Sequence, residues 1–275
     1  MIKDITLGQF FPGNSFIHKL DPRAKLIISI AYIVAIFMAK SVFSFALLSV
    51  FSLMLIFVSR ISLRVILRGI RPIIYILIFT MILNLIWTKG EGEPLVSFWV
   101  IKIYKTGIYR SLLMALRVII LIIGTSVLLT YTTSPFSLTA AIESLLSPLK
   151  LIKVPVHDFA MMMTIALRFI PVLVEETDKI MNAQKARGAD FAGGGLIKKA
   201  KALIPVLVPL FVSSFNRAGD LSIAMECRCY RSGKGATKLY KLHFAVRDFI
   251  GFLIIAALIC GVVLINKFVN FGYSI

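Results

Sequence analysis

Apolar residues gather into runs of spanning length at about 24–40, 42–59, 70–88, 112–131 and 246–266. Each run is close to the roughly 20 residues that a helix needs to cross a bilayer. The first two are separated only at Lys40–Ser41, which predicts a helical hairpin. Between the second and third lies SRISLRVILRGIRP, with Arg60, Arg64, Arg68 and Arg71 at spacings of three and four. In a helix these four share one face. The pattern predicts a short amphipathic helix against an anionic leaflet, on the cytoplasmic side by the positive-inside rule. The N-terminus, two spans away, is then cytoplasmic as well, and TKGEGEP with Glu91 and Glu93 falls outside. The following LVSFWVIKIYKTGIYRS, with Trp99, Tyr104 and Tyr109, reads as an interfacial hairpin or half-helix, because aromatic side chains favour the membrane boundary.

Residues 132–245 follow a different pattern. They hold most of the acids and about half of the basic residues. The apolar stretches here stay short: DFAMMMTIALRFIPVLVEE contains Asp158 and Arg168, and ALIPVLVPLFVSSFNRAGD contains Pro205 and Pro209. A charge at the centre of a lipid-facing span costs about 2.5–3.5 kcal/mol on insertion scales. Long amphipathic helices packed under or partly into the bilayer therefore suit these stretches better than spans. Two further spans would preserve the topology of both ends, so parity leaves that alternative open. The pentapeptide IPVLV occurs at 170–174 and again at 204–208, each time opening a stretch that turns polar and ends at Arg187 or Arg228.

Composition sharpens this picture. The 275 residues are 59% hydrophobic, against about 45–50% for a soluble domain, with mean hydropathy +0.91. The expected fold class is an all-α polytopic membrane protein with about five transmembrane helices and a helical cytoplasmic domain. Its expected organisation is an N-terminal membrane domain of four spans (1–131), a cytoplasmic segment (132–245), and a last transmembrane helix with its tail (246–275). The net charge of +18 is assigned to cytoplasmic loops facing membrane lipid rather than to nucleic acid, since the basic residues adjoin apolar runs and lack aromatic interleaving. No apolar h-region with a cleavage site occurs in MIKDITLGQFFPGNSFIHKLDPRAK, so no signal peptide is expected.

Catalytic chemistry is not evident. His18, His157 and His243 are scattered, and Cys227, Cys229 and Cys260 lack partners at metal-ligand spacing, so no metal site and no cofactor are expected. RSGKGATK at 231–238 resembles a phosphate loop, but Lys234 is followed by Gly235 and Arg228 stands where the first glycine belongs, so ATP hydrolysis is not expected of this chain. The glycines of FAGGGL at 191–196 read as a break between helices. The spans carry almost no charge in their middles, which disfavours the alternative of an autonomous secondary transporter or channel. Asn84, the main polar exception, is expected to hydrogen-bond between helices.

Two stretches end alike, AQKARGAD at 183–190 and AMECRCYR at 224–231. An arginine at a helix C-terminus is favoured by the macrodipole, which explains any single case. Two arginines with small neighbours on both sides suggest more. Ala186 and Gly188, or Cys227 and Cys229, leave the guanidinium free to enter a partner's pocket, where its planar fork binds a carboxylate bidentately. Met161, Met162 and Met163 offer a pliable apolar surface for a moving partner, or equally a core filler.

The opening FFPGNSFIHKLDPRAKL, Ala186-Arg187-Gly188, and Arg228 within AMECRCYRSG together resemble the transmembrane T component of energy-coupling factor transporters, importers of vitamins and transition-metal ions. The resemblance covers nearly the whole chain. It implies that the chain does no catalysis itself. Two ATP-binding-cassette ATPases would hydrolyse ATP, and a small membrane subunit would capture the substrate. Two crossed coupling helices, about 157–188 and 200–229, would each plant a terminal arginine in one ATPase. Ala186, Arg187, Gly188, Cys227, Arg228 and Cys229 would form the docking ends. Met161–Met163 and the region of Pro205, Val206, Leu207, Pro209 and Leu210 would hold the substrate-binding subunit. The complex would lie in the plasma membrane. One departure stands out: the family's second motif is Ala-Arg-Gly-like, whereas here Cys229 follows the arginine, and a cysteine is not expected to adopt positive φ as glycine does.

Overall fold

The computed structural model describes residues 10–87, 96–98, 101–189, 191, 193, 195–230 and 242–268. Helices α1 (Pro22–Met38), α2 (Val42–Ser59) and α3 (Leu63–Trp87) come first, followed by a short antiparallel pair, β1 (Val96–Phe98) and β2 (Ile101–Ile103). Then come α4 (Lys105–Thr125), a π-helical turn (Ser126–Thr130), α5 (Pro135–Leu145), a 3₁₀ segment (Ser147–Ile152), α6 (Val156–Ala186), α7 (Leu196–Cys227) and α8 (Val246–Phe268). Six helices among the described residues are long and apolar enough to cross a membrane: α2, α3, α4 with its π turn, α6, α7 and α8. The chain is an all-α polytopic membrane protein. It forms two compact units, one of residues 10–138 and from Leu242 onward, the other from Thr139 to Lys241.

Capping and buried polar bonds hold the first unit together. Pro22 opens α1, and the Asp21 carboxylate caps it by accepting from the Arg23 N–H at 2.8 Å, a start that suits a fixed φ and an otherwise unpaired donor. The Asp21 N–H donates in turn to Asp248 Oδ1 of α8 at 2.7 Å, and the Ala245 N–H to Asp248 Oδ2 at 2.7 Å. Lys25, only 2% exposed, donates to the Thr132 carbonyl at 2.8 Å and to that of His18 at 3.2 Å. At the other end of α1, Asn266 of α8 donates to the Met38 carbonyl (2.7 Å) and accepts from Ser44 Oγ (2.8 Å). Arg117 donates to the Ala39 carbonyl at 2.9 Å and lies over the Phe45 ring. Between these two ends, the Tyr32 ring packs against Gly124 in the space that a Cβ there would need.

Several expectations change. The arginine-rich stretch is not a separate amphipathic helix. Arg60 is the left-handed cap of α2 (φ 56°), and Arg64, Arg68 and Arg71 ride the first turns of a continuous α3. Pro72 lies inside α3. It removes one donor and leaves one carbonyl without a helical partner, and α3 nonetheless continues through it to Trp87. Asn84 donates to the Thr80 carbonyl of its own helix at 2.9 Å, not to a neighbouring one. The predicted interfacial hairpin is the pair β1–β2 with Tyr104 capping α4; Trp99, TKGEGEP and RSGKGATK lie outside the described residues.

Replacing Asp248 by Ala leaves two donors with no acceptor, and is expected to cost about 3 kcal/mol or more, read as lowered thermal stability in detergent. His18 adds a pH dependence. Its Nε2 donates to the Phe11 carbonyl (3.0 Å) and its Nδ1 accepts from Ser15 Oγ (2.6 Å), the pattern of a neutral ring. Burial holds its pKa below the ordinary 6.5, with Lys25 acting in the same sense against the Phe11 bond. The stabilisation is therefore complete above pH 6.5 and is lost as the pH falls through the lower folded-state value. His18→Gln is expected to flatten the acid side of the stability profile.

Candidate functional site

The second unit is built on α6 and α7, of 31 and 32 residues. Three contacts fix how they run. His157 Nε2 lies 3.5 Å from Tyr230 Oη, Glu176 pairs with Arg217 at 3.1 Å, and Gln184 Nε2 donates to the Pro205 carbonyl at 3.4 Å. Positions rise along α6 as they fall along α7, so the helices pack antiparallel over their whole length. The last contact has a local cause. Pro209 cannot donate to the carbonyl four residues before it, and Pro205, at that position, offers its free oxygen to the neighbouring helix.

Antiparallel packing puts the two arginines at opposite ends of the pair. From residue 157, beside Tyr230, to residue 187 the helix rises about 45 Å at 1.5 Å per residue. Each arginine is a helix C-cap, with φ −85° and ψ 6° at Arg187 and φ −89° and ψ 11° at Arg228. The bonding beyond them is the same at both ends. The Gly188 N–H donates to the Lys185 carbonyl (2.9 Å) and the Ala189 N–H to that of Gln184 (3.0 Å). The Cys229 N–H donates to the Glu226 carbonyl (2.8 Å) and the Tyr230 N–H to that of Met225 (3.0 Å). Both ends are Schellman motifs, which require a left-handed residue after the cap. Gly188 supplies it at φ 88° and Cys229 at φ 53°. The expectation that cysteine cannot take this conformation is therefore corrected: the two hydrogen bonds to otherwise unpaired carbonyls offset a strain of roughly 1–2 kcal/mol.

Ala186, Arg187, Gly188, Cys227, Arg228 and Cys229 are all exposed. Among the described residues neither guanidinium has a side-chain partner. The surroundings of the two ends differ. Tyr230, directly after the second motif, reaches His157, whose Nδ1 pairs with the buried Glu143 of α5 at 2.9 Å. The first motif runs into the glycine-rich link toward Gly195, which caps α7.

The predicted apolar surface divides. Met162, Met163, Pro205, Leu207 and Pro209 are exposed, and Met161 and Leu210 half-buried. Val206 is only 2% exposed and belongs to the packing, because it lies on the opposite side of α7 from Val208. The strip takes in Val208, Phe211 and Val212 of the IPVLVPLFV stretch and continues to Phe215, which sequence reasoning missed; all four are more than half exposed. The spacings 204/208/212 and 207/211/215 were a readable signal. Phe211 and Phe215 meet edge to face at 4.7 Å between ring centroids.

The strained cap is testable. Cys229→Gly relieves the left-handed residue and is expected to stabilise the end of α7 by about 1 kcal/mol. Gly188→Ala meets no atom within 4 Å of the new Cβ, yet should weaken the end of α6 by a similar amount. Hydrogen exchange at the amides of 183–189 and 224–230 measures both.

Residues 13–239 match the CbiQ family, described as cobalt transport protein. The energy-coupling factor transporter transmembrane protein EcfT of Clostridium kluyveri is 53% identical over 260 residues, covering 94% of this chain and 96% of that protein. Its counterpart in Lactococcus lactis subsp. cremoris is 44% identical over 264 residues (96% and 98%). That of Bacillus subtilis is 42% identical over 262 residues (94% and 98%). The matched range takes in residues of both units, and the chain belongs to this family, as the transmembrane T component of an energy-coupling factor transporter.

Proposed function

We propose that the chain is a non-catalytic coupling subunit that links two ATP-binding-cassette ATPases to a small substrate-binding membrane subunit in micronutrient (vitamin) uptake. The observation that carries this reading is the pair of identically built, exposed arginine ends at opposite ends of one antiparallel helix pair. A spacing of about 45 Å suits one arginine to each of two ATPases. Each guanidinium, held beyond a fixed backbone turn, would enter a groove carrying a carboxylate, where a bidentate pair gives both strength and orientation. ATPase closure would then move the two ends together and act on whatever rests on the helices between them.

The register also supports a lie of α6 and α7 along the membrane surface rather than across it. The apolar half of α6, residues 157–174, runs beside the end of α7 that carries Arg217, Asp220, Glu226 and Arg228. The apolar half of α7 runs beside Glu175, Glu176, Asp178 and Lys185 of α6. Spanning by either helix would carry its neighbour's charges into lipid, at a cost of several kcal/mol. Lying flat, with Arg187 and Arg228 toward the cytoplasm, avoids this. The strip from Leu203 to Phe215, with Met162 and Met163, would then face the substrate-binding subunit and lipid. On this reading residues 132–245 form the cytoplasmic coupling segment, the N-terminus is cytoplasmic, and the complex resides in the plasma membrane.

The test is a pull-down of the tagged chain from its own membranes beside Arg187→Glu/Arg228→Glu. ATPases are expected with the wild type and not with the double variant, which should still insert yet lose coupled uptake. Recovery of both ATPases with the double variant would defeat the docking role.

A further inference from the structure

Three cavities meet where α2 ends. The first, about 300 Å³, has a mixed polar and apolar lining and lies between the segment Phe11–Ser15, His18 and the α2–α3 link at Ser59–Ser62. The second, about 900 Å³, shares Asn14, Ser15, Arg60 and Ile61 with it and runs down α2 along Leu53, Ile56, Phe57 and Val58. A third, about 250 Å³ and almost wholly apolar, continues from Phe16 and Val58 toward Gly251 of α8. Together they grade from mixed to almost wholly apolar along a helix long and apolar enough to span the membrane. The second alone is near the upper end of the roughly 300–1,000 Å³ of small-ligand sites, and the other two extend it.

Arg60 stands at the junction. It is exposed and has no side-chain partner among the described residues. Its left-handed φ of 56° is a conformation that an arginine adopts at a cost. Arg64 and Arg68, also exposed, follow on the first turns of α3. A cationic rim at the end of a spanning helix, opening onto an apolar groove along that helix, is complementary to one kind of molecule: an anion carrying hydrocarbon chains. A free anion has no use for the groove, and a zwitterionic lipid has no net charge for the rim.

We propose that this pocket binds one anionic phospholipid, its phosphate beside Arg60 and Asn14, and an acyl chain along Phe16, Leu53 and Phe57. Such a lipid would bridge the opening segment Phe11–Asp21 to the α2–α3 link. This site belongs to the first unit and does not depend on the docking role of the arginine ends.

The test is native mass spectrometry of the full chain released from micelles doped with phosphatidylglycerol or, separately, phosphatidylcholine. One phosphatidylglycerol per chain should be retained, and phosphatidylcholine should not. Arg60→Asn keeps a residue that tolerates the left-handed region and is expected to weaken retention roughly fivefold. Arg110→Asn, an equal loss of charge outside the pocket, should leave it unchanged. Inorganic phosphate should not displace the bound lipid. Equal retention of the two lipids, undiminished binding by Arg60→Asn, equal loss in Arg110→Asn, or displacement by phosphate alone would each overturn the proposal.

Discussion

The antiparallel register of α6 and α7 is the constraint on which the placement of both arginine ends depends. Three side-chain contacts, at His157–Tyr230, Glu176–Arg217 and Gln184–Pro205, set that register along the length of both helices. Without it, two helices that each stop at an arginine would be two unremarkable C-termini. With it, the arginines become the two ends of one rod. The same register sets the charged half of each helix beside the apolar half of the other, so the pair suits a surface more than a span.

A device of this kind needs helix ends that do not fray. A last turn with unpaired carbonyls is the weakest part of a helix, and a guanidinium on it would have no fixed direction. The Schellman bonds after Arg187 and Arg228 remove that weakness at both ends, although one end must force a cysteine into the left-handed region. The ends still differ in support. The second is tied through Tyr230 and His157 to Glu143, whereas the first continues into glycines. The first unit shows the opposite strategy, in which the buried Lys25 and Asp248 and the half-buried Asn266 tie α1 and α8 to the chain around them.

Much of this was legible in the sequence, and what was not has physical causes. Apolar runs delimit α1, α2 and α8 within a few residues, because a bilayer imposes length and polarity together. The arginine ends stand out because small neighbours on both sides of an arginine are a local signal. The fusion of the arginine-rich stretch into α3 was missed, since a proline is only a probable helix stop. The positive φ of Cys229 was missed because two backbone bonds outweigh an intrinsic preference, and sequence displays the preference alone. Asp248 looks like an ordinary first-turn acid, and its bond to the Asp21 N–H, 227 positions away, has no local trace. The register of α6 against α7 is also non-local: the IPVLV echo hints at two related helices but not at their direction.

The distance between the two arginine ends decides whether α6 and α7 form one two-ended rod. Nitroxide labels at Ala186→Cys and at native Cys227, with Cys229→Gly and Cys260→Ser removing the other thiols, report that distance by pulsed electron spin resonance on the full chain. Antiparallel packing predicts a separation of about 45 Å between backbones at the rise of an α-helix. A separation of half that or less would mean that the two ends lie on the same side of the pair, and the two-ended coupling rod would have to be abandoned.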